Sequence, residues 1–336
     1  MATSYPFKNL IFEGGGVKGI VYIGVIEVLG QRQILEQIER IAGTSAGAIT
    51  AVVTSFRLTA KEIIDITNTL DFSKIPEERA DTDPDWIPKL FEKELDKLLG
   101  DVYSVYRLVH KYGWYTSGYF YNWLQETIAS QCNGNSLATF ADFQKNGCRD
   151  LHIVVTNVST HASEVLSAAT TPDVPVADAV RMSMSIPLFF ESLQFKGTRF
   201  GSGDYYADGG VLDNYPIHVF DDPKYEKANP WFLDGTNWET LGCHLYTPKD
   251  CPRDRKPITN IITYIENLIE SLLNAQEVAF ENNEVDQQRT INVSNCCVQT
   301  TDFQIKPHDQ KYNELVDAGK AATQAYLEGY KQPSPS

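Results

Sequence analysis

Two glycine-rich turns near the start of the chain constrain its fold more than any other feature. Glu13-Gly14-Gly15-Gly16-Val17-Lys18-Gly19 follows a short apolar run over residues 7–13 and opens a helical pattern over 20–29. Gly43-Thr44-Ser45-Ala46-Gly47 follows a second apolar run over 38–42 and opens a helical pattern over 46–56. Strand, glycine turn, helix, repeated within 60 residues, is the rhythm of an α/β fold with a mostly parallel sheet.

The turns also narrow the chemistry. The first matches G-x-G-x-x-G at Gly14, Gly16 and Gly19. Its bare backbone can approach a ligand closely, with N–H groups directed out of a helix start. The anion held there is either a standing phosphate or an oxyanion formed only during reaction. A dinucleotide site calls for an acidic residue at the end of the second strand, ~20 residues after the glycines. Here that strand runs into Gly43-Thr44-Ser45, and Glu36 and Glu39 precede it. No Gly-Lys-Ser/Thr closes the string, so it is not a P-loop. The second turn matches G-x-S-x-G in the strand-to-helix context of a nucleophile elbow, with Gly43 and Gly47 as the small flanking residues. A third turn, Ala207-Asp208-Gly209-Gly210, sets a carboxylate at the exit of an apolar stretch. A nucleophilic serine needs a base, and a carboxylate bonded directly to it in a dry site can serve.

The rest of the chain surrounds these turns with α/β pattern and one insertion. Residues 62–100 hold eleven acidic and five basic side chains and include an apolar stripe at helical spacing over 86–99. Residues 103–123 carry nine aromatics, Trp114 and Trp123 among them. The stripe and the aromatics read mainly as helical core, with the two tryptophans as candidates for lipid contact. Strands are expected over 151–157, 164–168, 205–207 and 241–246, and a helix over 178–185. Ile258, Ile261, Ile265, Leu268, Ile269 and Leu272 form a strong amphipathic stripe, and a final helix is expected over 313–331.

The net charge of −15 argues against a nucleic-acid binder, which needs a cationic face. The six cysteines contain no CxxC and read as mostly reduced thiols, suited to a cytoplasmic protein. The N-terminus shows no signal-like apolar run, and no stretch approaches the ~20 apolar residues of a membrane span. Secretion without such a signal stays open. Neither H-E-x-x-H nor an EF-hand loop appears, so no metal and no cofactor is expected.

Taken together, these motifs resemble the patatin-like phospholipases, serine lipid acyl hydrolases that use a Ser–Asp dyad. That family shows G-G-G-x-K/R-G, then G-T-S-A-G, then D-G-G or D-G-A, in the order found here. A similar small-residue helix ending in proline and an aromatic is matched by residues 179–190. The resemblance implies a three-layer α/β/α sandwich with a central mostly parallel sheet and a nucleophile elbow. It implies Ser45 as nucleophile, Asp208 as base, and an oxyanion hole lined by Gly14, Gly15 and Gly16 with help from Ala46. Lys18 matches the family's basic position, as loop anchor, headgroup contact or plain surface lysine. Gly19, Gly43, Gly47, Gly209 and Gly210 support the turns. A catalytic core over 7–220 is expected, with a helical insertion over about 62–130. Residues 221–331 would complete or decorate that domain, and 332–336 form a frayed tail. The expected activity is calcium-independent hydrolysis of acyl esters of membrane phospholipid or another glycerolipid, with the enzyme peripheral to the membrane. An acyltransferase, or a lipase effector switched on by a ligand or partner, would use the same site; a non-catalytic lipid-binding module fits least. A homo-oligomer stays open. The family's base needs no histidine, although His218, ten residues after Asp208, is the first to test for a triad.

Overall fold

Leu10, Ile11 and Phe12 are all buried, so the first strand is covered on both faces, as a continuous apolar run in a parallel sheet should be. The computed structural model describes residues 5–77, 102–227, 229–251 and 258–333, with only the backbone at 102 and 103. The first half runs β1 (Asn9–Phe12), α1 (Val21–Gln31), β2 (Arg40–Thr44), α2 (Ala46–Ser55), α3 (Ala60–Thr67), α4 (Val102–His110), β3 (Gly113–Tyr115), α5 (Gly118–Gln131) and α6 (Phe140–Lys145). Then come β4 (Asp150–Asn157), β5 (Ala162–Ser167), α7 (Val176–Ser183), β6 (Leu188–Phe190), β7 (Leu193–Lys196), β8 (Arg199–Phe200) and β9 (Asp204–Asp208). The last part holds β10 (Phe232–Leu233), β11 (Thr236–Asn237), β12 (Thr240–Tyr246), α8 (Ile261–Glu281), α9 (Glu284–Gln288), β13 (Thr290–Ser294) and α10 (Gln310–Gly329).

Among the described residues, nine strands form one mixed sheet in the order β13-β12-β1-β2-β4-β9-β7-β8, with β5 also on β4. The run from β13 to β4 is parallel, while β5, β9, β7 and β8 are antiparallel to their neighbours. Flanking helices complete a layered α/β/α fold. Leu10, Phe12 and Ile41 belong to the large core, whereas Ile11 and Ala42 pack with Ile217 and Phe220 in a smaller cluster. The alternation follows from successive side chains pointing to opposite faces. Helices α1 and α10 cross at two glycines: a Cβ on Gly24 would sit 2.0 Å from the Val316 carbonyl oxygen, and one on Gly319 2.0 Å from that of Val21.

The arrangement around β4 positions the site. β2 pairs with β4 from Asp150 to Val154, and β9 pairs with it from Val155 to Asn157. β5 spans both stretches and so occupies the opposite edge. β2 runs parallel to β4 and β9 antiparallel, so their C-terminal ends meet head to head on one edge. Ser45 follows the end of β2, and Asp208 is the last residue of β9.

Several expectations need correcting. Cys251 and Cys297 form a disulfide, with their Cα atoms 5.5 Å apart, while Cys132, Cys148, Cys243 and Cys296 are free. The two partners lie 46 residues apart, outside any local spacing signal, and the bond removes the cysteine-based ground for a reducing compartment. The aromatic stretch is interrupted by β3, which pairs with β6. Trp114 and Trp123 are buried, and the Trp123 indole N–H donates to Thr69 Oγ1, so neither offers a lipid contact. The 86–99 stripe lies outside the described residues. No helix among the described residues is long and apolar enough to cross a membrane.

Candidate active site

Ser45 has φ 54° and ψ −124°, a left-handed backbone that a residue with a Cβ adopts only under constraint. The constraint is packing at both flanking glycines. A Cβ on Gly43 would lie 2.3 Å from the Gly47 carbonyl oxygen, and one on Gly47 2.3 Å from that of Phe12. The Ser45 N–H donates to Ser183 Oγ at 2.8 Å, and Ser183 donates in turn to the Val154 carbonyl at 2.6 Å. Helix α7 thus fixes the turn from above β4.

The bent turn drives Ser45 Oγ toward β9, where it donates to Asp208 Oδ2 at 2.6 Å. The other carboxylate oxygen accepts the Gly210 N–H at 2.7 Å, and the Asp208 N–H donates to the Ser185 carbonyl at 2.8 Å. Ser45 and Asp208 are 3% and 5% exposed, so water screens neither. Burial pushes the Asp208 carboxyl up to about 7, against the opposing pull of its bonds from Ser45 and Gly210. A carboxylate that ordinarily titrates near 4 is therefore poised near neutrality.

The glycine loop faces this pair. The Gly14 N–H is committed to the Asn214 carbonyl at 3.0 Å. Among the described residues the N–H groups of Gly15, Gly16 and Ala46 have no acceptor. Gly15 also lines the cavity over Ser45. Gly16 has φ 56°, and a Cβ there would sit 2.1 Å from the Thr300 carbonyl oxygen, so only glycine fits. The loop is anchored from beneath by Glu13, which accepts the Leu245 N–H at 2.5 Å and the Asn214 side-chain amide at 2.9 Å. Burial pushes the Glu13 carboxyl up, opposed by His244 and these bonds. Lys18 is buried rather than solvated: its Nζ pairs with Glu270 of α8 at 3.2 Å.

Motif reading located Ser45, Asp208 and the glycines but missed Ser183, Asn214, Glu270 and Gln276. Asn214 donates to both Glu13 and the Gly14 carbonyl, and its own N–H goes to Gln276 of α8. Gln276 donates on to the Gly210 carbonyl at 2.7 Å. The glycine loop and the aspartate turn are thereby cross-linked through one asparagine. Its place six residues after Asp208 was the only available signal.

No histidine is a partner of Ser45 or Asp208 among the described residues. His218 bonds Asp221 at 2.9 Å and Asp286 at 3.0 Å, which hold Arg289. Its imidazole is largely exposed and caps the buried Arg289–Asp286 pair, away from the serine. Nor do the described His, Cys, Asp and Glu side chains form a metal-holding group.

A cavity of about 30 Å³ lies against Ser45 and Asp208, roofed by Ile269, Leu272 and Leu273 of α8 and bounded by Pro187 and Val211. Such a space admits one or two waters, well short of the ~300 Å³ of a ligand pocket.

The family model described as patatin-like phospholipase matches residues 10–221, and the chain belongs to that family of lipolytic hydrolases. The uncharacterized protein YqhO of Bacillus subtilis (strain 168) is 31% identical over 320 residues, covering 94% of this chain and 97% of that one. The probable lipid hydrolase 463L of Invertebrate iridescent virus 6 is 22% identical over 231 residues, covering 68% and 69%. The crystal structure of VipD from Legionella pneumophila superposes with a TM-score of 0.59 at 20% identity, over 99% of this chain and 69% of VipD, and shares its fold.

Proposed function

We propose that this chain is a calcium-independent phospholipase A-type enzyme, with Ser45 as nucleophile and Asp208 as general base. The observation that carries the reading is the 2.6 Å bond from Ser45 Oγ to a buried Asp208, delivered by a strained turn. Ser45 Oγ attacks the ester carbonyl of a glycerophospholipid while Asp208 takes its proton. The developing oxyanion is held by the N–H groups of Gly15 and Gly16, with that of Ala46 assisting. The lysolipid alkoxide takes the proton back from Asp208 and leaves an acyl-serine. Water, deprotonated by the same carboxylate, then releases the fatty acid and restores Ser45. Burial of the base supports this route, since a carboxyl near 7 is a stronger base than an ordinary one. The name of the viral relative, a probable lipid hydrolase, supports a lipid substrate. We assign catalysis to a core over 7–220, with 221–331 completing the same domain.

The test is a panel of glycerolipids presented as vesicles or mixed micelles, with products identified by mass. Wild type should release fatty acid, and Ser45→Ala and Asp208→Asn should each lose at least ~10³-fold in rate. Full activity in Asp208→Asn would exclude the dyad. Product carrying the acyl group on an added alcohol instead of water would make the enzyme an acyltransferase.

A further inference from the structure

Helix α8 is apolar on both faces: Ile265, Ile269 and Phe280 are buried on the inner one. Its glutamates before the last residue, Glu266, Glu270 and Glu277, are half-buried, while Ile261, Tyr264, Leu268, Leu272 and Val278 are 39–57% exposed. These five follow a helical repeat and share the outer face with Asn267, Ser271, Asn274 and Ala275. The outer face therefore carries no charge along five turns, in a chain whose net charge is −15. A surface helix ordinarily turns its charges to water. The same helix is the roof of the Ser45 cavity, and Leu272 belongs to both the roof and the exposed row. Its inner contacts are polar as well as apolar, with Glu270 on Lys18 and Gln276 on the Asn214 and Gly210 turns.

We propose that the outer row of α8 is the surface by which this protein docks on neutral or zwitterionic lipid, and that docking draws the roof away from Ser45. The inference rests on the function proposed above. Lipid is the occupant that fits. The row is continuous with the roof of a cavity too small for an acyl chain, so whatever seats on it acts on access to Ser45. The face has neither Lys nor Arg for anionic headgroups, and the acidic chain repels them. An uncharged interface lets the apolar row enter the headgroup–acyl boundary without an electrostatic cost.

The experiment uses vesicles of ether-linked phosphatidylcholine, which has no ester to cleave. Binding is read by flotation in the Ser45→Ala background, so it does not depend on catalysis. The Ser45→Ala protein should float with these vesicles, and adding Tyr264→Asp and Leu268→Asp together should weaken partition at least ~10-fold. Those positions are exposed, and an unchanged melting temperature checks the fold. Vesicles of phosphatidylglycerol should bind several-fold more weakly than phosphatidylcholine. With Ser45 intact, ether vesicles should raise kcat/KM for a short soluble ester, and the double variant should lose that rise while keeping its rate without vesicles. Equal flotation of the double variant and its parent would overturn the proposal, as would a soluble-ester rate indifferent to vesicles. A dimer that the double variant abolishes, without vesicle binding, would assign the row to a second copy of the chain instead. A wild type that floats but cleaves no ester, soluble or lipid, would defeat the proposed function and leave the docking surface standing.

Discussion

At the scale of single residues, the site depends on one carboxyl that folding makes hard to ionise. Asp208 titrates near 7 in the folded protein, well above its unfolded value near 3.9, so the folded state holds the proton more tightly. Two outcomes follow with opposite signs. Activity should rise with pH through about 7 as the base ionises, which a kcat/KM profile on a soluble ester would read. The contribution of Asp208 to stability should be greatest below pH ~4 and fall as the pH rises to about 7. Asp208→Asn keeps an acceptor for the Gly210 N–H and cannot ionise. It should therefore gain stability over wild type at pH 8, by as much as ~4 kcal/mol, and little at pH 4, as read by urea denaturation. Equal stabilities at both pH values would contradict the buried-base account. Ser45, Asp208 and the glycines were legible in the sequence because each motif sits in one local turn whose chemistry is self-contained. Ser183 and Asn214 were not. Their roles exist only once α7 lies over β4 and the glycine loop meets the aspartate turn, contacts 138 and 200 residues apart in the chain.

At the scale of elements, α8 is held down by a polar seam rather than by packing alone. Lys18 and Glu270 have side chains 9% and 22% exposed, and Glu270 also accepts the Thr300 N–H at 2.7 Å. Burial opposes ionisation of Glu270, but Lys18 and the Thr300 bonds outweigh it and hold the carboxyl below its ordinary range. Removing one partner leaves a buried charge unpaired. Glu270→Gln should cost about 3 kcal/mol in thermal or urea unfolding, and Lys18→Met in that background should recover part of the loss. Strictly additive losses would show that the pair does not couple. The amphipathic pattern over 258–273 was legible, but which side of it faces inward was not. Periodicity sees two apolar faces alike. Lys18 and the Thr300 N–H receive Glu270 on the inner side, and the Asn214 turn receives Gln276 there. The strand β13 was missed because its pairing partner, β12, lies across the whole of α8 and its pattern carries no turn signal of its own.

At the scale of the whole molecule, the fold was legible from its first 60 residues because parallel strands, glycine turns and helices follow a short menu of topologies. The strand at 241–246 was legible, but its place was not: β12 and β13 extend the sheet beyond β1 from the C-terminal third. His218 sits beside that extension of the sheet, in the ion network around Arg289. Its bonds to Asp221 and Asp286 push it up to about 9, so its stabilising effect is complete below pH ~6.5 and fades as the pH rises through about 9. His218→Gln should lower the melting temperature at pH 6 more than at pH 10 and leave ester hydrolysis within about twofold of wild type. A lost activity at unchanged stability would reopen a histidine triad. The central claim is that Ser45 is the acylated residue, and covalent trapping tests it most directly. Wild type is treated with a long-chain alkyl fluorophosphonate in phosphatidylcholine vesicles, and the modified peptide is mapped by mass spectrometry. The account predicts one adduct, on Ser45, lost in Ser45→Ala and strongly slowed in Asp208→Asn; an adduct on another residue, or labelling that survives Ser45→Ala, would contradict it.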